Sequence, residues 1–475
     1  MVKHRNFRIL LVAPYKNSFL GMAKFPPLGL GYLATSLKRQ GYTVKILDCL
    51  QAQIDSSKYR RYLLEEEPDV VGINSWSCSV NEVKEMLEIT KAVDRKITTV
   101  VGGPHPSAVP YEAMSYFTGA DFGFKGEAEI GLPMLVDGLI NKKEPYLSKV
   151  PGLLWRERGQ LIVNQQIFYE RLDDFGILSW DLVRPAEYAQ KGTIVSGDTA
   201  PIITSRGCPY LCTFCSPHIV SGRKIRLRSP GHIIKEIKLL KEEYGIKRIA
   251  IMDENFTFSK EHTAAVCHKI IQEKIKMRFF LPNGVRLNTL DKELLSLMKK
   301  AGFLANIAVG IESGSERVLK LIKKGLNKEM IKTKVRLLRQ SGFRPIGYFI
   351  LGFPTETKKE MYETLKFAKE LKLYRAAFSP LLILPGTEIY EYLKKNAELP
   401  TNYSFSSLVT DSVTYAPSGI TLKEFSNIRK DIVFKFNLQF RVLLDYMRDW
   451  NSFVFAAVKF FSIFLRRKKV ENAFN

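Results

Sequence analysis

The sequence predicts two α/β units in tandem, an open doubly wound parallel sheet and then an incomplete barrel of parallel strands, followed by a helical C-terminal extension. Three observations predict it. Short β-branched or aliphatic runs alternate with helical patterns from residue 8 to about residue 141, a Pro-, Gly- and Asp-containing stretch interrupts them, and a second alternation starts at Pro201. A chain of 475 residues with 45% hydrophobic and 25% charged content can bury more than one core, which excludes a disordered protein.

In the first unit, residues 1–145, strands are expected at Arg8–Ala13, Thr43–Leu47, Val70–Asn74, Thr98–Val101 and Phe122–Phe124, with helices between. Such Rossmann-like sheets bind ligands at the carboxyl ends of their strands, so the loops after strands matter most. Residues 146–200 read as a linker: a hairpin-like stretch from Pro151 to Gln165, then a connection through Trp180 and Pro185. In residues 201–398 strands are expected at Ile202–Thr204, Arg248–Met252, Arg278–Leu281, Asn306–Val309, Pro345–Leu351 and Ala376–Leu382. Six βα units in about 200 residues suit a partial (β/α)6 barrel, whose open side admits a large substrate. Residues 399–475 form the extension, in which Phe425, Ile428, Ile432, Phe436, Phe440 and Leu443-Leu444 recur at helical spacing.

Lys plus Arg number 72 against 48 Asp plus Glu, a formal charge of +24 that favours an acidic partner or simply makes a basic solvated surface. The N-terminal apolar run enters a loop with Pro14, without a small-residue cleavage site, and reads as a buried first strand and not a signal peptide. The longest apolar stretch, Ser452 to Leu465, contains Lys459 and is shorter than the roughly 20 residues that span a bilayer, so no transmembrane helix is expected. Six cysteines, three of them between residues 208 and 215, suggest metal ligation in a reducing, cytoplasmic setting.

Cys208, Cys212 and Cys215 stand in TSRGCPYLCTFCS, a C-x3-C-x2-C spacing on a loop after an expected strand. Three thiolates on one short loop can bind a face of an iron-sulfur cube and leave one iron without a protein ligand, open to a chelating substrate or cofactor. The alternative is zinc, which prefers four ligands; no second cysteine pair follows, and His218 alone would complete the set.

This loop, with Phe214 before its last cysteine, resembles that of the radical S-adenosylmethionine (SAM) superfamily, and the resemblance covers about residues 201 to 395. It implies a 4Fe-4S cluster held by Cys208, Cys212 and Cys215, with SAM on the fourth iron. The reduced cluster would cleave SAM to methionine and a 5'-deoxyadenosyl radical, the electron coming from a donor such as flavodoxin or ferredoxin. Gly310-Ile311-Glu312-Ser313-Gly314-Ser315, expected after the fourth strand, resembles the family's segment for SAM ribose and amino acid, with Glu312 and Ser313 as contacts; a helix-start acid is the other reading of Glu312. Ile350 to Glu356 resembles the adenine segment, with Gly352 permitting close approach, although Gly352 to Glu356 is one residue longer than the common spacing. Met252 to Thr257, Asn283 and Arg286 could position SAM or substrate, or form local salt bridges.

Three loops of the first unit resemble the cobalamin-binding domains fused to many radical SAM enzymes: Phe25 to Leu33 with Pro27 and Gly29, Val101 to Pro106 with Gly102, Gly103 and His105, and Lys125-Gly126-Glu127. Glycines there let the backbone approach a bulky flat ligand, and helix N-termini offer N–H donors to its phosphate; a nucleotide-binding or empty sheet is the alternative. The D-x-H-x-x-G signature of histidine-donating cobalamin proteins is absent from the first loop, so cobalt is expected to lack that ligand. His105 is read chiefly as a loop hydrogen-bonding residue.

The resemblance implies a cobalamin-dependent methyltransferase of class B type, acting on a carbon of a small molecule such as a lipid or tetrapyrrole. A tetrapyrrole-cyclase-like enzyme with the same cofactors is the second reading, and a non-enzymatic cobalamin or redox sensor the third. A tRNA methylthiotransferase would need three more cluster ligands, for which Cys49 and Cys78 are too few, so nucleic acid is not the expected partner. Trp450 to Leu465, followed by Arg466-Arg467-Lys468-Lys469, suits either an interfacial helix on the inner face of an anionic membrane or a helix packed on the barrel.

Overall fold

The computed structural model describes residues 7–15, 25–141, 146–188, 197–401, 403–409 and 411–448. The first sheet comprises β1 (Arg8–Ala13), β2 (Thr43–Asp48), β3 (Val70–Asn74), β4 (Thr98–Gly102), β5 (Phe122–Phe124), β6 (Leu153–Glu157) and β7 (Gln160–Val163), in the order β2-β1-β3-β4-β5-β6-β7. β1 to β5 pair in parallel. Ile9 to Val12 are all buried, with Ile9 and Leu11 in one cluster and Leu10 and Val12 in another. Alternate residues thus feed the two faces, each covered by helices, which is why the strand reads as an unbroken apolar run.

The expected linker differs from the structure. Its hairpin, β6 and β7, adds two antiparallel strands to the edge of the first sheet next to β5. Leu153 and Leu154 are fully buried there, so the sheet completes its core with residues beyond 145. The connection that follows is also packed: Trp180 is 1% exposed and donates its indole N–H to Glu236 at 3.0 Å.

The second unit contains β8 (Thr199–Ile202), a short antiparallel ribbon of β9 (Ser205–Arg206) and β10 (Arg226–Leu227), and then β11 (Arg248–Ile251), β12 (Arg278–Phe280), β13 (Asn306–Glu312), β14 (Arg344–Leu351) and β15 (Arg375–Pro380). Parallel ladders join β12-β11-β8 and β13-β14-β15. Single parallel bridges, Phe279 to Phe303 and Val285 to Val309, carry the wall from the third barrel strand to the fourth. Six parallel strands thus curve into a partial barrel, and β8 and β15 share no ladder among the described residues. The first barrel strand ends at Ile202, upstream of the expected Ile202–Thr204, because Thr204 and Ser205 turn to bond Asp253. β13 extends past its expected end and takes in Gly310 to Glu312 with a bulge.

The two units meet where Tyr32 and Val109 of the first join Leu178, Trp180 and the barrel's aliphatic core. Helix Leu422–Asn437 lays Phe425, Ile428, Ile432 and Phe436 against the barrel, Phe436 meeting Phe378 of β15 edge-on at 5.6 Å. Phe440 breaks that pattern and is 76% exposed: the helix ends at Asn437, and Phe440 starts a new one, Phe440–Arg448. The apolar-basic tail from Trp450 to Lys469 lies outside the described residues. No described helix is long and apolar enough to cross a membrane.

Candidate functional site

Cys208, Cys212 and Cys215 all lie on the loop between β9 and helix Pro217–Ser221, at the carboxyl end of the barrel. Gly207 makes the loop possible: its φ is +95°, and a Cβ there would stand 2.2 Å from the Lys224 carbonyl oxygen. Backbone bonds fix the rest, Cys208 N–H to the Gly222 carbonyl, Thr213 N–H to Ile322 and Cys215 N–H to Cys212. Phe214 packs against Phe353 at the end of β14, ring centroids 5.7 Å apart, and so ties the loop to the fifth barrel strand. The thiols are half-buried, and burial, followed by the charge of its sister cysteines, pushes Cys215 up to about 12. A metal would displace those protons and relieve the cost.

The donor chemistry fits a cluster. No three His, Cys, Asp or Glu groups converge on a single-ion site among the described residues. A cube asks for something else: each thiolate binds its own iron, so the sulfurs need not point at one centre.

Charged groups from three strand ends surround the loop. Arg286, after β12, donates from Nη1 to Cys212 Sγ at 3.6 Å and lies over the Tyr210 ring, 3.6 Å from its centroid. Glu312, at the end of β13 with φ +67°, is buried and paired with Lys324 Nζ at 2.7 Å. Gly310 leaves room for that pair, since a Cβ would meet Glu312 Oε1 at 2.6 Å. Asp253 ties the segment after β11 to the segment after β8 by accepting from Thr204 and Ser205. Its neighbour Glu254 is solvent-exposed, yet crowded by surrounding protein. Burial, then the Asp253 charge, pushes Glu254 up to about 7.

Other residues singled out by sequence are occupied in ways that sequence does not show. The Ser313 hydroxyl is fully buried, 3.3 Å from Thr364 Oγ1, and accepts the Ser315 N–H, so it builds the turn after β13. Gly352 has φ +89°, and what approaches it closely is Phe425 of the C-terminal helix, 2.6 Å from where a Cβ would stand. Glu356 stands just before Thr357, which caps helix Lys358–Glu370. The Glu356 Oε2 accepts the N–H groups of Gly352 and Phe353, while its Oε1 is buried without a hydrogen-bond partner. Burial pushes it up to about 7. Asn283 holds the β11 end by donating to the Met252 carbonyl at 2.8 Å.

In the first unit the three loops lie at one carboxyl edge. Pro27 precedes helix Leu28–Arg39, whose N-terminus has no side-chain cap, and Gly29 faces open space with no atom within 4 Å of a would-be Cβ. Gly102 is also uncrowded. Gly103, with φ +103°, is required by the neighbouring loop, since a Cβ would stand 2.2 Å from Asn74 Oδ1 and 2.9 Å from the Ser75 carbonyl oxygen. Gly126 has φ +77° and sits against Gln166. His105 is 1% exposed, 3.1 Å from the Ser77 hydroxyl and edge-on to Phe117 and Phe405, a packed position that burial keeps neutral with its pKa lowered to about 4.

Glu127 is the largest departure. Instead of facing a ligand it is buried, with both carboxylate oxygens on Arg226 at 2.7 and 2.6 Å, and Oε1 3.4 Å from Arg206. Arg206 also pairs with Glu129 at 2.7 Å and lies over the Tyr32 ring. Arg206 and Arg226 face each other across the β9–β10 ribbon, and Cys208 follows two residues after Arg206. An ion-pair network therefore bolts the base of the cysteine loop to the carboxyl edge of the first sheet. Sequence reading missed it, along with Lys324 and Trp76. Trp76 is 50% exposed directly after β3, where the rule about loops after strands would have flagged it.

Comparison with known proteins agrees with this geometry. Residues 202–368 match the model of the radical SAM superfamily, and residues 23–136 match that of the B12 binding domain. Over 452 residues the chain is 30% identical to the uncharacterized methyltransferase PH0819 of Pyrococcus horikoshii, covering 94% of this chain and 96% of that one. It is 27% identical to the cytidylyl-2-hydroxyethylphosphonate methyltransferase of Streptomyces wedmorensis, over 90% of this chain and 89% of the relative. Its fold is similar to the radical SAM methyltransferase TsrM of Kitasatospora setae, solved with cobalamin and a [4Fe-4S] cluster, with a TM-score of 0.71 at 20% identity over 89% of this chain and 84% of that one. The radical SAM and B12-binding matches within one chain, with a methyltransferase relative 30% identical along nearly its whole length, place the chain in the family of radical SAM enzymes that carry a cobalamin-binding domain.

Proposed function

We propose that this chain methylates a carbon of a small molecule, with Cys208, Cys212 and Cys215 as the cluster ligands. When bound, the cluster with SAM supplies a carbon-centred radical, and cobalamin supplies the methyl group. The observation that carries the reading is the Arg206/Arg226 to Glu127/Glu129 network, because it fixes the cluster loop to the cobalamin-type sheet edge, as delivery of a methyl group to a carbon activated near the cluster would require. The methyltransferase names of its relatives support it.

The residues divide the work by chemistry. Glu254, exposed after β11 and near Cys208 and Cys215, suits the ammonium group of SAM, and Lys324 with Glu312 suits its polar end. The uncapped N-terminus of helix Leu28–Arg39 and open Gly29 suit a phosphate-bearing flat ligand, with Pro27, Gly102 and Gly126 shaping the same edge. In this reading Gly103, His105, Ser313, Gly352 and Glu127 hold the loops in place without touching a cofactor.

The test is anaerobic turnover with methyl-labelled SAM, a strong reductant and extracts of candidate small molecules, read by mass spectrometry. A product gaining one labelled methyl is expected; ring closure without labelled methyl would replace this reading with a cyclase. For the substrate we favour an apolar, lipid-like molecule reached at a membrane surface. Phe434, Leu438, Phe440 and Leu443 are exposed on the helices that precede the apolar-basic stretch in sequence, and equal flotation of the protein with neutral and with anionic vesicles would remove that part.

A further inference from the structure

We propose that Arg286 tunes the cluster: its guanidinium donates to the Cys212 sulfur and raises the electron affinity of the 4Fe-4S centre. The inference rests on the reading that Cys208, Cys212 and Cys215 ligate that centre. Arg286 is 8% exposed, and three contacts hold it against the cysteine loop. Nη1 reaches Cys212 Sγ at 3.6 Å, the guanidinium lies 3.6 Å from the centroid of the Tyr210 ring, and Nη2 donates to the Lys324 carbonyl.

Two glycines make that placement possible. Gly284, at φ +76°, lets the chain pass against Ala308, where a Cβ would stand 2.9 Å from the carbonyl oxygen. Gly325, at φ +66°, leaves room for Nη2, which would lie 3.2 Å from a Cβ there. The hydrogen bonds of this enclosed cation go to a carbonyl and a thiol, not to a carboxylate, and its Nε is buried without a partner. The anion that the guanidinium lacks is the cluster with its thiolates.

Reduction adds one electron to that centre, and the added charge spreads onto the ligating sulfurs. A charge-assisted hydrogen bond to such a sulfur strengthens as the charge grows, so it stabilises the reduced state more than the oxidised one. Enclosure by protein limits screening of the effect by solvent.

The experiment is a redox titration of the full-length, anaerobically reconstituted protein, followed by the electron paramagnetic resonance of the reduced cluster without SAM. Omitting SAM separates the sulfur contact from any contact that Arg286 makes with the SAM carboxylate. Arg286→Met should move the midpoint to a more negative potential, and Arg286→Lys, which keeps the charge and loses the planar fork, should fall between it and the parent. An Arg286→Met protein with full iron content and an unchanged midpoint would overturn the proposal. Loss of the cluster in both variants would overturn it too, since the arginine would then build the loop and not tune the sulfur. If the parent protein holds no cluster, the ligand reading itself fails.

Discussion

His105 shows how one side chain can carry a pH dependence without taking part in chemistry. Its ring is packed between Phe117 and Phe405, and burial lowers its pKa from 6.5 to about 4. The unfolded chain therefore takes up a proton below about pH 6.5 that the folded chain refuses, so stability is full above that pH and falls between about pH 6.5 and 4. The loss approaches about 3 kcal/mol at the acid end, from the size of the shift. His105→Phe should flatten the denaturant-derived stability between pH 7 and 5 relative to the parent, and equal slopes would show that the ring is not held neutral. The three cysteines were legible from sequence because metal ligation by one short loop is local chemistry. The partners of Glu127 were not, because Arg226 lies 99 residues away and nothing in Lys125-Gly126-Glu127 announces it.

At the scale of elements, the helix Leu422–Asn437 and the end of β14 depend on each other through Gly352. A methyl group at that position would lie 2.6 Å from the Phe425 ring, on a backbone with φ +89°. Overpacking and the left-handed conformation each cost about 1–3 kcal/mol. Gly352→Ala should therefore lower the thermal midpoint and speed hydrogen exchange in helix 422–437, and unaltered exchange there would show that the helix gives way freely. Apolar periodicity placed β1, β3 and β5 at their observed bounds and the inward face of this helix from Phe425 to Phe436. It failed where a tertiary partner sets the end of an element: Asp253 draws Thr204 out of the first barrel strand, and the bulge carries β13 on to Glu312. The hairpin β6–β7 was visible as a hairpin, but its docking beside β5 is a pairing of distant segments that alternation cannot register.

For the whole molecule, the decisive contact is the buried network between the two units. Arg226 is 1% exposed and Glu127 7%, so neither charge has water to fall back on. Removing one partner leaves an uncompensated charge and costs about 3–5 kcal/mol, whereas replacing both with apolar side chains of similar size costs much less. Glu127→Met should therefore expose the ribbon at residues 205–206 and 226–227 to faster hydrogen exchange and weaken cobalamin retention. Arg226→Met should do the same, and Glu127→Met with Arg226→Met should recover part of the loss. The comparison must allow for Arg206, which keeps Glu129 at 2.7 Å in every variant and so limits how far the units separate. Strictly additive losses in the double variant would mean that the two residues do not act as a pair. Recovery would locate the joint between the cysteine loop and the first sheet in four side chains, and would explain how two cores of different architecture present their carboxyl edges to a common mouth.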